Sequence, residues 1–229
     1  MKSEANKIAI IDFSNAYITS GVTDAFNDFY FHYKDICVLK GEYSYHKDLG
    51  IKEIDHIGEI KPYSALIISY PFSATGSVHP DWNNIISICE ARHVSVFLDV
   101  CLFGVAYNLN LTVPNCVTHI AFSFSKMFDT ACYRTGILYT RYKTNTPIAN
   151  QNAWYYTNHL GAQIHSHIMD TFDCDYIVNK YKHRQIEICS EYDIQVTDTL
   201  LFGISSDSKW NYFERGITNR MCVSHLLSV

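Results

Sequence analysis

Short apolar, β-branched runs alternate along this chain with stretches of helical periodicity, the pattern of a βαβ fold built on a mostly parallel sheet. Ala16-Tyr17-Ile18-Thr19 reads as a strand, and Ser20-Gly21 leads from it into a helical stretch ending near Tyr33. Asp35 to Leu39 and Ala65 to Ser69 read as two further strands. His79-Pro80-Asp81 starts a helix whose Trp82, Ile85, Ile86 and Cys89 share one face and which runs to Arg92. Val94 to Leu98 then enters the sheet and delivers Asp99 at its carboxyl end. His119 to Ser123 and Gly136 to Tyr139 are two more strands, separated by the segment that carries Lys126. From about Pro147 to Tyr192 the pattern turns helical, with breaks expected at Gly161 and at Asp173-Cys174-Asp175. After it, Ile194 to Val196, Leu200 to Ile204 and Arg220 to Val223 read as short strands, with a helix near Asp207 to Arg215. The expected class is α/β, a mostly parallel sheet with helices on both faces, plus a small, trimmed C-terminal α+β subdomain. No internal repeat, long charge run or linker interrupts it.

Composition narrows the function by exclusion. Hydrophobic residues make up 48% of 229 and charged residues 18%, enough for a real core and too ordered a mixture for a disordered tail. Eighteen Lys and Arg stand against 23 Asp and Glu, a net charge of -5 with no basic stripe, which argues against nucleic acid as the main partner. No apolar run approaches the ~18 residues of a membrane helix, and Met1-Lys2-Ser3-Glu4 leads into no signal-peptide core, so the expectation is a cytoplasmic protein away from membranes. The eight cysteines lie far apart with no C-x-x-C pair and read as reduced, mostly buried thiols. His165-Ser166-His167, with His159 nearby, lacks the spacing and acidic partners of a metal site, so no metal is expected.

Ligands of open α/β sheets gather at the carboxyl ends of strands. Ser20-Gly21-Val22-Thr23 follows a strand and opens a helix, where backbone N–H groups and the helix dipole hold a phosphate. Asp99 ends an apolar strand, where a carboxylate is costly unless a cation meets it. Ser123-Phe124-Ser125-Lys126 follows another strand, and Arg134-Thr135-Gly136 comes eight positions after Lys126. Ser-x-Ser-Lys, seven residues, then Arg-x-Gly, with Phe97-Leu98-Asp99 and Ser20-Gly21 upstream, resembles the fold-type I pyridoxal-phosphate enzymes, specifically the class I/II aminotransferases. The resemblance covers roughly Tyr17 to Tyr142 well and the remainder loosely.

The resemblance implies divisions at 1–145 for the pyridoxal-phosphate-binding core, 146–185 for a helical connection and 186–229 for a small subdomain. It implies that Lys126 forms the internal aldimine and shuttles the proton at the substrate's α carbon. Asp99 would pair with the pyridinium nitrogen. Ser123, Ser125 and Arg134 would hold the phosphate from one side, and the N–H groups of Gly21, Val22 and Thr23 from the other. Tyr43 would stack on the ring, Cys101 would face its other side, and His46 would orient Asp99 by a hydrogen bond. Arg220 would clamp a substrate carboxylate. Where relatives place an Asn in Asn-Pro-Thr-Gly and a Tyr three residues after the aspartate, this chain has Ser73 in Ser73-Ala74-Thr75-Gly76 and Leu102. Ser73 can donate one hydrogen bond to the ring's phenolic oxygen and Leu102 none. The family's amino-terminal arm is expected to be absent, leaving substrate choice open. The implied protein is a homodimeric aminotransferase acting on an amino acid or related amine. The alternatives are a lyase or decarboxylase using the same cofactor, a catalytically degenerate partner subunit, or a domain binding some other phosphate.

Overall fold

The alternating pattern sorts into two sheets and a two-stranded ribbon in a computed structural model that describes residues 3–10, 12–128 and 130–228. The chain runs through β1 (Lys7–Ala9), β2 (Asn15–Thr19), α1 (Val22–His32), β3 (Ile36–Leu39), α2 (Ser44–Asp48), β4 (Lys52–Ile54) and β5 (Ala65–Ser69). It continues through α3 (Trp82–Ala91), β6 (Ser95–Asp99), β7 (Asn110–Thr112), β8 (Val117–Ser123), β9 (Gly136–Thr140), α4 (Pro147–Ala153), α5 (His159–Thr171) and α6 (Tyr176–Glu191). It ends with β10 (Gln195–Val196), β11 (Phe202–Ser205), β12 (Glu214–Arg215) and β13 (Thr218–Cys222).

The main sheet has seven strands in the order β2-β9-β8-β6-β5-β3-β4. β8, β6, β5, β3 and β4 are parallel, and β9 alone runs against its neighbours β8 and β2. A parallel return needs a crossover, usually a helix. Among the described residues between β8 and β9 the one helical piece is the 3-10 turn Ala131–Tyr133, and β9 returns antiparallel to β8. Both faces are covered because the strands are apolar on both sides. Ala65 and Ile67 pack with Phe26 and Phe29 of α1 and Ile148 of α4, while Leu66 and Ile68 pack with Ile85 and Cys89 of α3. Each such fully buried large side chain contributes about 1.5–3 kcal/mol.

The smaller sheet, β10-β11-β13-β12, is antiparallel throughout and packs Met221 and Val223 on Ile188 and Cys189 of α6. β1 and β7 form a separate parallel ribbon. Two expectations need correction. Gly161 lies inside α5, and the break falls before it, between α4 and α5. A Cβ there would sit 2.4 Å from Thr135 Oγ1 and 2.5 Å from the Tyr133 carbonyl oxygen, so the glycine serves close packing rather than helix termination. The helix expected near Asp207 to Arg215 is a 3-10 stretch, Ser208–Phe213, followed by β12. Among the described residues no helix is long and apolar enough to cross a membrane.

Register brings the strand ends together. Ser69 at the end of β5 pairs with Asp99 at the end of β6, and Gly136 pairs with both Ser123 of β8 and Thr19 of β2.

Candidate functional site

A cavity of about 360 Å³ opens over those carboxyl ends and gathers almost every chemistry-bearing residue singled out in the sequence. A larger cavity of about 570 Å³ lies beside β1 and β7, but its walls are mostly aliphatic and amide groups with Lys7 and Cys174 as their reactive side chains. The chemistry is in the smaller one.

One end of it is an anion cradle. Gly21 precedes α1 at φ +84°, a left-handed conformation that favours glycine, and no side chain caps the helix, so its first N–H groups remain available. A Cβ on Gly21 would stand 2.7 Å from Arg134 Nη2, so a side chain there would push the guanidinium from its place across the turn. Arg134 donates to the Ser20 carbonyl at 3.1 Å and to Ser125 Oγ at 3.2 Å, and Ser123 Oγ donates to Ser125 Oγ at 3.0 Å. Val22, Thr23, Ser123, Ser125 and Arg134 all line this end. A guanidinium, hydroxyls and a helix N-terminus form a donor set for a phosphate-like group.

At the floor stands Asp99. Its Oδ1 accepts the Cys101 N–H at 2.8 Å, and the Cys101 thiol donates to Oδ2 at 3.5 Å. Burial pushes its pKa up to about 6, against the lowering pull of those bonds and of the Lys126 charge. Lys126 lines the same cavity and makes no hydrogen bond or ion pair among the described residues. Burial and the adjacent Asp99 raise the Cys101 thiol well above its ordinary range, so it acts as a neutral donor.

Tyr43 and Ser73 form the opposite wall with Arg220. Arg220 donates to the Ser73 carbonyl, and to Ser73 Oγ at 3.3 Å, and its guanidinium lies 4.2 Å from the Phe202 ring centroid. Burial first, and then the charge of Arg215, bring its pKa down to about 10. Leu102 closes the cavity with an apolar surface.

His46 is placed differently from the expectation. It does not line the cavity and has no hydrogen bond to Asp99. Its Nδ1 pairs with the Tyr30 hydroxyl at 2.5 Å and its ring meets Phe26 edge-on at 4.6 Å. Burial lowers its pKa to about 4, so it is a neutral core histidine, and Cys101 is the residue that orients Asp99.

The sequence reading missed Glu42 and Ser69. Glu42 accepts from the Ser69 N–H at 2.7 Å, from Ser69 Oγ at 2.8 Å and from the Tyr43 N–H at 3.2 Å, and Ser69 Oγ accepts from the Ser73 N–H at 2.8 Å. Burial, with Asp99 nearby, pushes Glu42 up to about 7. Ser69 ends a strand beside Asp99 and was reachable from the strand-end rule; Glu42 carries no such signal. Phe202 and Cys222 also reach the cavity from the smaller sheet.

Neither a protein-family model nor a curated protein sequence matches the chain. Solved structures do. Tyrosine aminotransferase from Leishmania infantum is 14% identical, with a TM-score of 0.71 over 93% of this chain and 73% of that one. Aspartate aminotransferase from Thermus thermophilus, a double mutant, is 15% identical with a TM-score of 0.62 over 85% and 62%. Alanine aminotransferase from Pyrococcus furiosus is 17% identical with a TM-score of 0.60 over 84% and 60%. This chain therefore spans about three-fifths to three-quarters of their length, and at these identities the likeness is one of fold. It is the fold implied by the sequence resemblance.

Proposed function

We propose that this chain binds pyridoxal 5'-phosphate and acts as an aminotransferase on an amino acid or related amine. One observation carries the reading: a single cavity joins a free lysine, a buried aspartate lacking a full set of partners, and an anion cradle. The residues fit the group in charge and in order. The cradle of Arg134, Ser123, Ser125 and the α1 N-terminus takes the phosphate. Asp99 receives the protonated ring nitrogen, and the cation offsets the cost of burying its carboxylate. Tyr43 covers a ring face, and Ser73 is the hydroxyl nearest in role to the asparagine of relatives.

When bound, the cofactor supplies an electron sink for negative charge developing at the substrate's α carbon. Lys126 Nζ holds and moves the proton at that carbon. Arg220, already oriented by Ser73 and Phe202, takes the substrate carboxylate through two parallel N–H donors. The cofactor's chemistry also serves decarboxylation and elimination, so the bond broken depends on how Arg220 and the apolar Leu102 wall orient the amine. A second copy of the chain completing the cavity's open side belongs to the same reading.

The test is visible absorption with added pyridoxal phosphate, for wild type and Lys126→Ala, before and after borohydride. A band that borohydride fixes covalently on Lys126, followed by its bleaching with an amino donor, is the expected result. An identical band in Lys126→Ala, or none in either, overturns the reading. A fixed band with no response to any amine favours the non-catalytic alternative.

A further inference from the structure

One buried acid has no part in the mechanism above. Glu42 lies behind the cavity wall, and its carboxyl is fixed by three donors: the Ser69 N–H at 2.7 Å, the Ser69 hydroxyl at 2.8 Å and the Tyr43 N–H at 3.2 Å. Arg215 Nη2 donates to its main-chain carbonyl at 3.0 Å and holds the other end of the residue. Ser69 is the register partner of Asp99 at the neighbouring strand end, and both line the cavity, so the two side chains share one face of the sheet. Glu42 is therefore anchored to the residue beside Asp99, close enough for the charge of Asp99 to act on it.

Neither acid has a cation against it: among the described residues no ion pair includes Glu42 or Asp99. Lys126 acts on Asp99, and Arg220 on Glu42, through space alone. Burial keeps the neighbouring groups neutral: the Tyr30 hydroxyl of α1, the His46 ring of α2 and the Cys101 thiol beyond β6. Two carboxylates enclosed together without a paired cation are costly, and one proton held between them removes one of the charges. Ser69 serves either state, because its hydroxyl oxygen accepts the Ser73 N–H and keeps a lone pair for a protonated Glu42. Burial raises both acids, Asp99 to about 6 and Glu42 to about 7, the latter with the charge of Asp99 as a further cause.

We infer that Glu42 is a positioning residue: it shares one proton with Asp99 in the cofactor-free protein and keeps that proton once Asp99 meets the ring nitrogen. The nitrogen brings its own proton, so the pair neither gains nor loses one, and a single carboxylate charge faces the ring. As pH rises through neutrality Glu42 ionises as well, and a second negative charge then stands behind Asp99. The ring-nitrogen half of the inference rests on the cofactor reading above; the shared proton of the empty site does not.

Carbon-13 NMR titration of the carboxyl signals, assigned through their own side-chain and backbone correlations, tests it in the full chain without and with pyridoxal phosphate. In the cofactor-free wild type the Glu42 and Asp99 signals should both titrate between about pH 5 and about 8, each in two steps because the pair titrates as a unit. In Asp99→Asn the Glu42 signal should titrate in one step with its midpoint about one pH unit lower, a tenfold change in proton affinity. With the cofactor bound, Asp99 should stay ionised at about pH 6 while Glu42 stays protonated. A Glu42 signal ionised throughout that range, or one that Asp99→Asn leaves unmoved, overturns the inference, and a misfolded variant leaves the wild-type curves to decide it. In the loaded protein, Glu42→Gln should shift the pH midpoint of the visible band, since a merely structural residue of the same shape would leave it in place. The presence of that band reports separately on the cofactor: no band sinks the cofactor reading, whereas a normal band over an ionised Glu42 sinks only the role of Glu42.

Discussion

Two buried polar clusters in this chain are built on opposite terms. Gln185 of α6 spends both amide hydrogens and its oxygen internally: its amide nitrogen shares two N–H groups among the carbonyls of Thr197, Thr199 and Phe202 at 3.3, 2.8 and 2.9 Å, and its oxygen accepts from Tyr107 Oη at 2.9 Å. Asp99, equally enclosed, has one good donor and one weak thiol for a group with about four acceptor sites. Its pKa moves up to about 6 in consequence, and its neighbour Glu42 moves to about 7. A satisfied cluster of the first kind locks the smaller sheet onto the helix behind it. A cluster of the second kind stores a cost that a ligand removes, and it lies where the strand ends open.

Removing Gln185 is the most damaging way to probe the contrast. Gln185→Leu takes this partner from Tyr107 Oη and the Thr197 carbonyl, while Thr197 Oγ1 still reaches the Thr199 and Phe202 carbonyls at 2.8 and 3.0 Å, and should lower the unfolding free energy by about 3 kcal/mol, since each stranded buried group costs about 1–3 kcal/mol before relaxation. Urea denaturation measures it. At equal occupancy the folded variant should still take up pyridoxal phosphate with the wild-type absorption band. A loss below about 1 kcal/mol would mean that the staple is dispensable and that the distinction between the clusters is not energetic.

Much of this arrangement was legible in the chain because strand ends and local motifs are encoded locally. Ala65–Ser69 was read at its observed bounds, since five buried residues in a row leave little ambiguity. Eleven residues expected at the site share its cavity, and Gly21 lies beneath Arg134. What escaped depends on the third dimension. The strands at Lys7–Ala9, Lys52–Ile54 and Asn110–Thr112 have three residues each, too few for an alternation of period two to register. The partners of Glu42, Gln185 and Arg215 are set by chain returns across 27 residues, up to 78 residues and 173 residues respectively. His46 was placed by analogy of position, whereas the nearby hydroxyl of Tyr30 decided its actual bond.

The unsatisfied cluster should also show itself through pH. Asp99 has its pKa raised from 3.8 to about 6, so the folded state holds the proton more tightly than the unfolded chain does. The stability this contributes is present below about pH 4 and is lost as pH rises through about 6; Glu42, raised to about 7, extends the same trend upward. For the cofactor-free protein, Asp99→Asn should flatten the decline between pH 4 and 6 and leave the variant more stable at pH 7, by on the order of 3 kcal/mol at most. Thermal unfolding across that range tests it. Parallel curves for wild type and variant would show that Asp99 is solvated enough to need no ligand. At the same time Asp99→Asn should weaken the bound cofactor's response to amines, the opposite sign to its effect on stability.

Tyr43 gives the smallest effect and the finest cut, because it belongs to the site without belonging to the core. It is 46% exposed, stands just before α2, stacks on Tyr45 with ring centroids 6.0 Å apart, and meets the His46 ring edge-on at 6.1 Å. Tyr43→Leu should therefore shift unfolding free energy by less than about 0.5 kcal/mol. Its aromatic face is suited to cover a flat ring, and losing such a stack costs about 0.5–1.5 kcal/mol of affinity, roughly a few-fold to tenfold in pyridoxal phosphate binding. Titration of the absorption band beside a melting curve separates the two quantities. Affinity that falls while stability holds places Tyr43 with Asp99, among residues whose partner lies outside the chain. Stability that falls while affinity holds would move it to the side of Gln185 and leave the ring face to Cys101 and Leu102.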